Sequence, residues 1–437
     1  MSESFHTLLR SRLQEFREDG IPSYRERILD ANFYEDMVTT LVGVRKAGKT
    51  YATYQVIDQE LQSGRLSSLD QVCYLHFDDE SLMTFAVHHL SQIDEALLQI
   101  APDIHAKPIL YVFDEIHKIE GWEGYVLRLL RKRNSRILVT GSSADLEPEK
   151  VDRQLRGKSV AEHIYPLSFT EFCRWHGADT HSAKWSPKGR AIVEQLFELY
   201  LRWGAFPGLH NTTTNREREL LLKTYCSTIV ASDFLEKSKG VDPVLLKHYI
   251  FRLLQNNTGP YTHKRMLDAL AGMQVATDKR QLYALAHLAE ENYLFDFLPI
   301  YAASQAKMNQ NPRKVYCADW ALANAVAFPT QFQPQRALEA VVYWELKRRG
   351  YQVRYHRHPR TDYEVDFIAY RTFEEPELAI QVTCQMDDEI TLAREIRSLA
   401  NLTEPAFAQT RRLVLTQRPR AVAGIDVINV MEWLLEA

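Results

Sequence analysis

The stretch Met37-Val-Thr-Thr-Leu-Val42-Gly43-Val44-Arg45-Lys46-Ala47-Gly48-Lys49-Thr50 decides the fold of the first part of this chain. The run Gly43–Thr50 fits GxxxxGK[ST] at every position. An apolar strand pattern leads into it, and a helical pattern of Tyr54, Ile57 and Leu61 leads out. Glycines let such a loop curl until several backbone N–H groups point at phosphate oxygens, and the helix that follows presents its positive end to the same anion. Lys49 is expected to reach the β- and γ-phosphates of ATP, and Thr50 to offer its hydroxyl to Mg2+. The nucleotide cradle is therefore read as Gly43, Val44, Arg45, Lys46, Ala47, Gly48, Lys49, Thr50 and Tyr51.

Outward from this loop, short apolar runs alternate with helical segments as far as about residue 165, the pattern of a parallel α/β sheet. Strands are expected at Met37–Val42, Val72–Phe77, Ile109–Phe113 and Ile137–Thr140, with an amphipathic helix over residues 1–35. The third run ends in Asp114-Glu115. A carboxylate there can hold the magnesium shell (Asp114), and its neighbour can polarise an attacking water (Glu115). Ile137–Thr140 runs into Gly141-Ser142-Ser143, where Ser142 is a candidate γ-phosphate sensor or an ordinary turn residue.

The whole chain bounds these readings. Its 437 residues exceed one compact core, so about two to three domains are expected. A net charge of −4 leaves any nucleic-acid contact to a local patch. Five scattered cysteines without CxxC spacing argue against a zinc site or a disulfide framework and for a reducing, cytoplasmic setting. No apolar run reaches the roughly 18 residues of a membrane helix, and the polar N-terminus is no signal peptide.

The segments GVRKAGKT, FDEIHKIEGWEGYVLRLL, VTGSSADL, QLRGKSVAEHIYPLSFTEF and YLRWGAFPGL occur in an order that resembles the bacterial and archaeal AAA-type ATPases. Those proteins carry a winged-helix region and a C-terminal domain similar to the restriction-endonuclease-like, PD-(D/E)xK, fold. PRKVYCADWALANAV and LEAVVYWELKRRGYQVRYHRHPRTDYEVDFIAY match the later part. The resemblance implies an AAA+ core over 1–165, a helical lid over 166–240, a winged helix over 241–320 and a mixed α/β nuclease-like domain over 330–437. It implies ATP hydrolysis with Mg2+ in a homo-oligomeric ring, with a hexamer as one form. It also puts Arg153 and Arg156 where such ATPases place arginines near the γ-phosphate, although surface ion pairing is an equal reading of both. The family's usual Arg-Gly-Arg is Arg156-Gly157-Lys158 here, a point charge in place of a planar donor.

Residues 242–318 show three helical patterns followed by two strands around a polar wing, as in a winged helix. Lys264 and Arg265 open the second helix, and Lys279 and Arg280 open the third, which is expected over Thr277–Asn292. The wing carries Lys307, Arg313 and Lys314. Such a cluster could hold DNA phosphates, and winged helices also serve as protein contacts. In the last hundred residues Glu339 lies on a helix, Asp366 in Glu364-Val-Asp-Phe, and Gln381-Val-Thr383 on the next strand. Active enzymes of the nuclease-like class place a second acid and a lysine where this chain has Gln381 and Thr383, so a degenerate scaffold is the favoured reading. A metal site that survives on Glu339, Glu364 and Asp366 is the alternative. Three functions stay open: a DNA-remodelling motor, a nucleotide-dependent switch that senses a partner or foreign nucleic acid, and an ATP-gated nuclease.

Overall fold

The computed structural model describes residues 5–34, 36–132, 134–141, 155–181, 185–235, 237–238, 240–302, 308, 311–328, 331–358, 363–372, 375–384, 389–422 and 424–436. The chain divides into two compact units, Met1–Ile164 and Tyr165–Ala437.

In the first unit, α1 (Phe5–Asp19) buries Leu9 and Leu13 and stops well short of residue 35. Residues 20–34 run without helix or strand, a correction to the expectation of one helix through 35. Gly20 at φ +77° follows the last helical residue, and Pro22 follows two residues later, so the backbone is turned out of the helix there. The non-helical segment lies along α2 (Lys49–Gln62). Gln55 accepts from the Arg27 N–H at 2.8 Å and donates to its carbonyl at 2.9 Å, and the Tyr24 hydroxyl reaches Asp58 at 2.5 Å.

The strands are β1 (Val38–Val42), β2 (Val72–His76), β3 (Ile109–Asp114), β4 (Ser135–Thr140) and β5 (Ser159–His163), with α3 (Gln92–Ile100) and α4 (Glu123–Leu129) in the crossovers. All pairs are parallel, in the order β2-β3-β4-β1-β5. Every residue of β1 and β3 is buried, as expected for strands covered on both faces. The fifth strand was not foreseen. Ser159-Val-Ala-Glu-His163 carries a charged and a titratable residue and is nowhere fully buried, because it is an edge strand paired only with β1.

The second unit opens with α5 (Phe169–Trp175), α6 (Pro187–Trp203) and α7 (Asn215–Ile229), followed by α8 (Pro243–Gln255), α9 (His263–Gly272) and α10 (Lys279–Glu291). Strands β6 (Pro260–Tyr261), β7 (Phe295–Leu298) and β8 (Arg313–Cys317) make an antiparallel sheet with β8 central. After α11 (Trp320–Val326) and α12 (Pro334–Arg348) come β9 (Gln352–Arg357), β10 (Glu364–Tyr370), β11 (Leu378–Thr383), α13 (Glu389–Ala400), β12 (Arg411–Thr416), β13 (Asp426–Asn429) and α14 (Val430–Leu435). The five strands lie in the order β13-β12-β11-β10-β9, antiparallel from β9 to β11 and parallel from β11 to β13. Ten consecutive residues of α12, Ala337 to Leu346, are buried, so it is an interior helix rather than an amphipathic surface one.

Buried polar contacts hold this unit together across long sequence separations. The Asp319 carboxylate caps α11 by accepting from the Ala321 N–H at 2.9 Å, and it also accepts from the N–H groups of Ala205 at 2.7 Å and Phe206 at 3.0 Å. Burial pushes the Asp319 carboxyl up to about 6 despite those three donors. The Trp320 indole donates to the Leu201 carbonyl at 2.8 Å. Gly204 makes this approach possible at φ +78° and ψ −160°, a region only glycine enters readily. A Cβ there would stand 2.0 Å from Asp319 Oδ1. Gly204→Ala is therefore expected to cost about 2–4 kcal/mol from backbone strain plus overpacking. Urea denaturation would measure the loss, and an unchanged midpoint would contradict the fit described.

Candidate functional site

β1 delivers the chain into the loop at the carboxyl edge of the sheet. Gly43 adopts φ +146°, and a Cβ on it would meet the Ile164 carbonyl oxygen at 2.2 Å, so only glycine lets the loop leave β1 beside the end of β5. Lys46 at φ +71° and Gly48 at φ +102° complete the curl, and Gly48 is the N-cap of α2. Val44 and Ala47 are buried, Arg45 is half-buried, and Lys46 and Tyr51 are exposed. Arg27 donates to the Ala47 carbonyl at 2.9 Å, which braces the loop from outside. The buried Lys49 ammonium lies 3.0 Å from the Gly43 carbonyl, on the inner side of the loop that its own helix follows.

The strand order places β4 between β1 and β3, and the acidic strand end meets the loop through that neighbour. Asp114 ends β3 fully buried. The Thr140 hydroxyl, at the end of β4, donates a short hydrogen bond to Asp114 Oδ1 and accepts from the Glu115 N–H at 3.1 Å. The Tyr74 hydroxyl reaches Asp114 Oδ2 at 3.3 Å, His76 Nε2 lies 3.6 Å from it, and Thr50 is a further hydrogen-bond partner. Burial raises the Asp114 carboxyl above its usual range and Glu115 adds to this, whereas Thr140, His76 and Thr50 oppose it. Thr50 and Asp114 thus converge as hard oxygen donors, the set that suits Mg2+.

Glu115 sits at φ +57°, a left-handed conformation that is uncommon outside glycine and ends the extended run of β3. His117 Nδ1 is 3.4 Å from Glu115 Oε2. Tyr74, His76, His117 and Thr140 all escaped the sequence reading. Only Thr140 carried a usable signal, as the polar last residue of a buried strand. Ser142 and Arg153 lie outside the described residues, as does Lys307. Arg156 is exposed on a turn at φ +58°, just after the buried Leu155.

Of the residues assigned to DNA contact, Lys264, Arg265, Lys279 and Arg280 are exposed at the starts of α9 and α10. Thr262 and Asp278 cap those helices by accepting from Arg265 N and Gln281 N. Arg313 is half-buried, 3.6 Å from Glu290. Lys314 is a correction. It is buried, and its ammonium lies 3.0 Å from Glu339, 2.8 Å from Glu364 and 3.3 Å from Asp366. Alternation along β8 turns Lys314 inward while Arg313 faces outward, so the two cannot share a phosphate surface. Burial alone would lower the Lys314 pKa, but Glu339, Asp366 and Glu364 together hold it well above the ordinary value.

The structure also brings Glu339, Asp366 and Gln381 together. Tyr316 donates to Glu339 at 2.7 Å, and Val382 N–H donates to Asp366 at 3.0 Å. Gln381 Oε1 accepts from the Asp366 N–H at 3.3 Å, while its Nε2 donates a short bond to Glu395 on α13. Glu395 is a buried acid that sequence spacing did not point to. Burial pushes the Asp366 carboxyl up to about 7, against the pull of Lys314 and with the push of Glu339. Thr383 is buried at the end of β11 beside this group. As they stand, the described residues hold no group of three or more His, Cys, Asp or Glu arranged to take a metal. All five cysteines are free thiols. No helix among the described residues is long and apolar enough to cross a membrane.

Comparison with known proteins agrees with the class this geometry defines. Residues 35–173 match the model of a family described as an AAA domain, and this part of the chain is an AAA-type P-loop ATPase domain. Residues 194–334 match a family described only as a domain of unknown function (DUF8612). An uncharacterised protein of Haemophilus influenzae is 26% identical over 404 residues, 92% of this chain and 95% of its own length. One from Methanocaldococcus jannaschii is 26% identical over 377 residues, 85% of this chain and 80% of that protein. Among solved structures, a Walker-type ATPase of Pyrococcus abyssi superposes with a TM-score of 0.41 at 15% identity, covering 72% of this chain and 94% of its own.

Thr140→Val keeps the shape of the strand end but removes the hydroxyl that links Asp114 to Glu115. Losing one hydrogen bond to a charged group is expected to weaken Mg2+-dependent ATP binding about tenfold or more. Fluorescent-nucleotide titrations with Mg2+ and with EDTA would show the loss only in the first. Equal affinity in both proteins with Mg2+ would remove Thr140 from the site.

Proposed function

We propose that this protein hydrolyses ATP with Mg2+ and uses the turnover to bind and remodel DNA as an oligomer. The observation that carries the hydrolytic part is Asp114, bonded directly to Thr50 and joined to the Glu115 backbone through Thr140. In this reading the loop N–H groups and Lys49 hold the β- and γ-phosphates. Thr50 and Asp114 hold the ion, which supplies charge neutralisation on the transferring phosphoryl group. Glu115, on a left-handed backbone just past the end of β3, orients the attacking water and takes its proton. Arg156 is exposed, as an arginine that serves a neighbouring copy must be.

The DNA part rests on α8, α9 and α10 with the sheet β6-β8-β7, read as a winged helix. Four exposed cations, Lys264, Arg265, Lys279 and Arg280, cluster at two helix starts. The loss of Lys314 from the cationic set and the pairing of Arg313 with Glu290 narrow that surface to the two helix starts. The same partial neutralisation favours, as the second reading, a slow switch that exchanges partners with nucleotide state.

Glu115→Gln should bind ATP normally and lose about 10²–10⁴ of the turnover. ATPase assays with single-stranded, duplex and four-way-junction DNA separate the readings. A motor is stimulated by at least one of them. Flat rates with all three, together with nucleotide-dependent partner exchange, support the switch. Lys279→Glu with Arg280→Glu should weaken duplex binding and reduce its salt slope by about 2. An unchanged slope takes α10 out of the interface.

A further inference from the structure

The parallel sheet of the first unit has two ends, and the phosphate loop uses only the one where the strands finish. At the opposite end the chain opens a cavity of about 650 Å³, walled by the segment that enters β1, the turn that enters β4, and Pro108 ahead of β3. Asp36 at φ +58° and Asn134 at φ +64° shape those two approaches, in a left-handed conformation that Asp and Asn accept more readily than most residues. A space of this size suits a small molecule that carries both a ring and polar groups.

Two kinds of side chain meet there. Phe33 and Tyr34 supply aromatic faces, and Tyr34 is 53% exposed. Arg131, Lys132 and Arg136 supply cations. The Arg136 guanidinium lies over the Phe33 ring, 5.8 Å from its centroid, so a planar cation and an aromatic face already stand side by side. Carboxylates do not balance these cations. The buried Glu60 is shared between Arg136 and Arg65, the latter at 2.6 Å. Asp94 is shared between Lys132 at 2.8 Å and Arg128 at 3.6 Å. Arg131 is exposed, and its guanidinium has no hydrogen-bond or ionic partner among the described residues. The acid among the described lining residues is Asp36. Five cations thus face three carboxylates, a surplus that draws an anion into the cavity.

We propose that this cavity binds a nucleotide unit, with its phosphate on Arg131, Lys132 and Arg136 and its base against Tyr34 and Phe33. Arginine meets a phosphate with a planar fork, and an aromatic face stacks on any base. The same groups receive a free nucleotide or one nucleotide of a single strand. The site lies at the other end of the sheet from the phosphate loop. It rests on neither the ATPase reading nor the winged-helix reading.

Thymidine 5′-monophosphate, by calorimetry, and fluorescein-labelled decathymidylate, by anisotropy, test this in the full-length chain. The monophosphate lacks the β-phosphate that Lys49 is expected to reach. Tyr34→Ala and Arg131→Ala alter exposed side chains and should leave Tm unchanged. Wild type should bind one thymidylate per chain. Each substitution should weaken that binding about fivefold or more, and the pair about twentyfold or more. Lys49→Ala should leave it unchanged. The strand is measured in chains that carry Lys279→Glu and Arg280→Glu, which removes the cations at the start of α10. Binding at least about tenfold tighter than the monophosphate, with a salt slope that falls by about 0.7 on Arg131→Ala, marks a single strand as the ligand. Equal or weaker strand binding marks a free nucleotide. The proposal fails if neither probe binds at millimolar concentration, if either Tyr34→Ala or Arg131→Ala binds as wild type does, or if Lys49→Ala abolishes the thymidylate binding.

Discussion

The position of β1 within its sheet governs the nucleotide site. With β4 on one side and β5 on the other, β1 is buried on both faces and along both edges, and the chain leaves its end into a space bounded by Ile164 and Thr140. Only Gly43 can make that exit, because any side chain would run into the Ile164 carbonyl. The same strand order sets β4 between the phosphate loop and the acidic end of β3. A single hydroxyl, that of Thr140, therefore touches both the carboxylate of Asp114 and the backbone of Glu115. The phosphate loop and the adjacent acids Asp114 and Glu115 are two separate stretches of chain that one parallel sheet brings together.

A different constraint organises the second unit. There the long-range links are buried charges rather than strand order. Asp319 ties the start of α11 to the turn after α6, and Lys314 ties the three-stranded sheet to the acids of β10 and α12. Each is strong only because its partners are complete, and each would be costly if one partner left. Glycine again permits the approach, at Gly204. Besides the apolar core, a few buried polar contacts thus link elements that are far apart in sequence.

Much of this was legible in advance, for identifiable reasons. Steric demands make the phosphate loop a local motif, so Gly43, Gly48, Lys49 and Thr50 could be read without knowing the fold. The run Ile109–Phe113 ending in two acids was legible because a strand buried on both faces has few other sequence forms. β5 was not, since an edge strand needs only half its surface apolar. The end of α1 was missed because the apolar spacing continues weakly past Asp19 while the backbone turns at Gly20. In the second unit Gln381 and Thr383 could be singled out from the sequence, but the buried partner that Gln381 finds in Glu395 could not.

The sequence by itself determined the phosphate loop, the acidic strand end and the α/β character of the first unit, because each depends on residues within a few positions of one another. Tertiary structure alone decided that Thr140 joins Asp114 to Glu115, that Glu395 partners Gln381, and that Lys314 is a buried cation rather than a surface one. Those outcomes depend on which strands become neighbours and which face of a strand turns inward. A lysine at the start of a strand reads as exposed until a helix and a strand from later in the chain surround it with carboxylates, and no local pattern announces their approach.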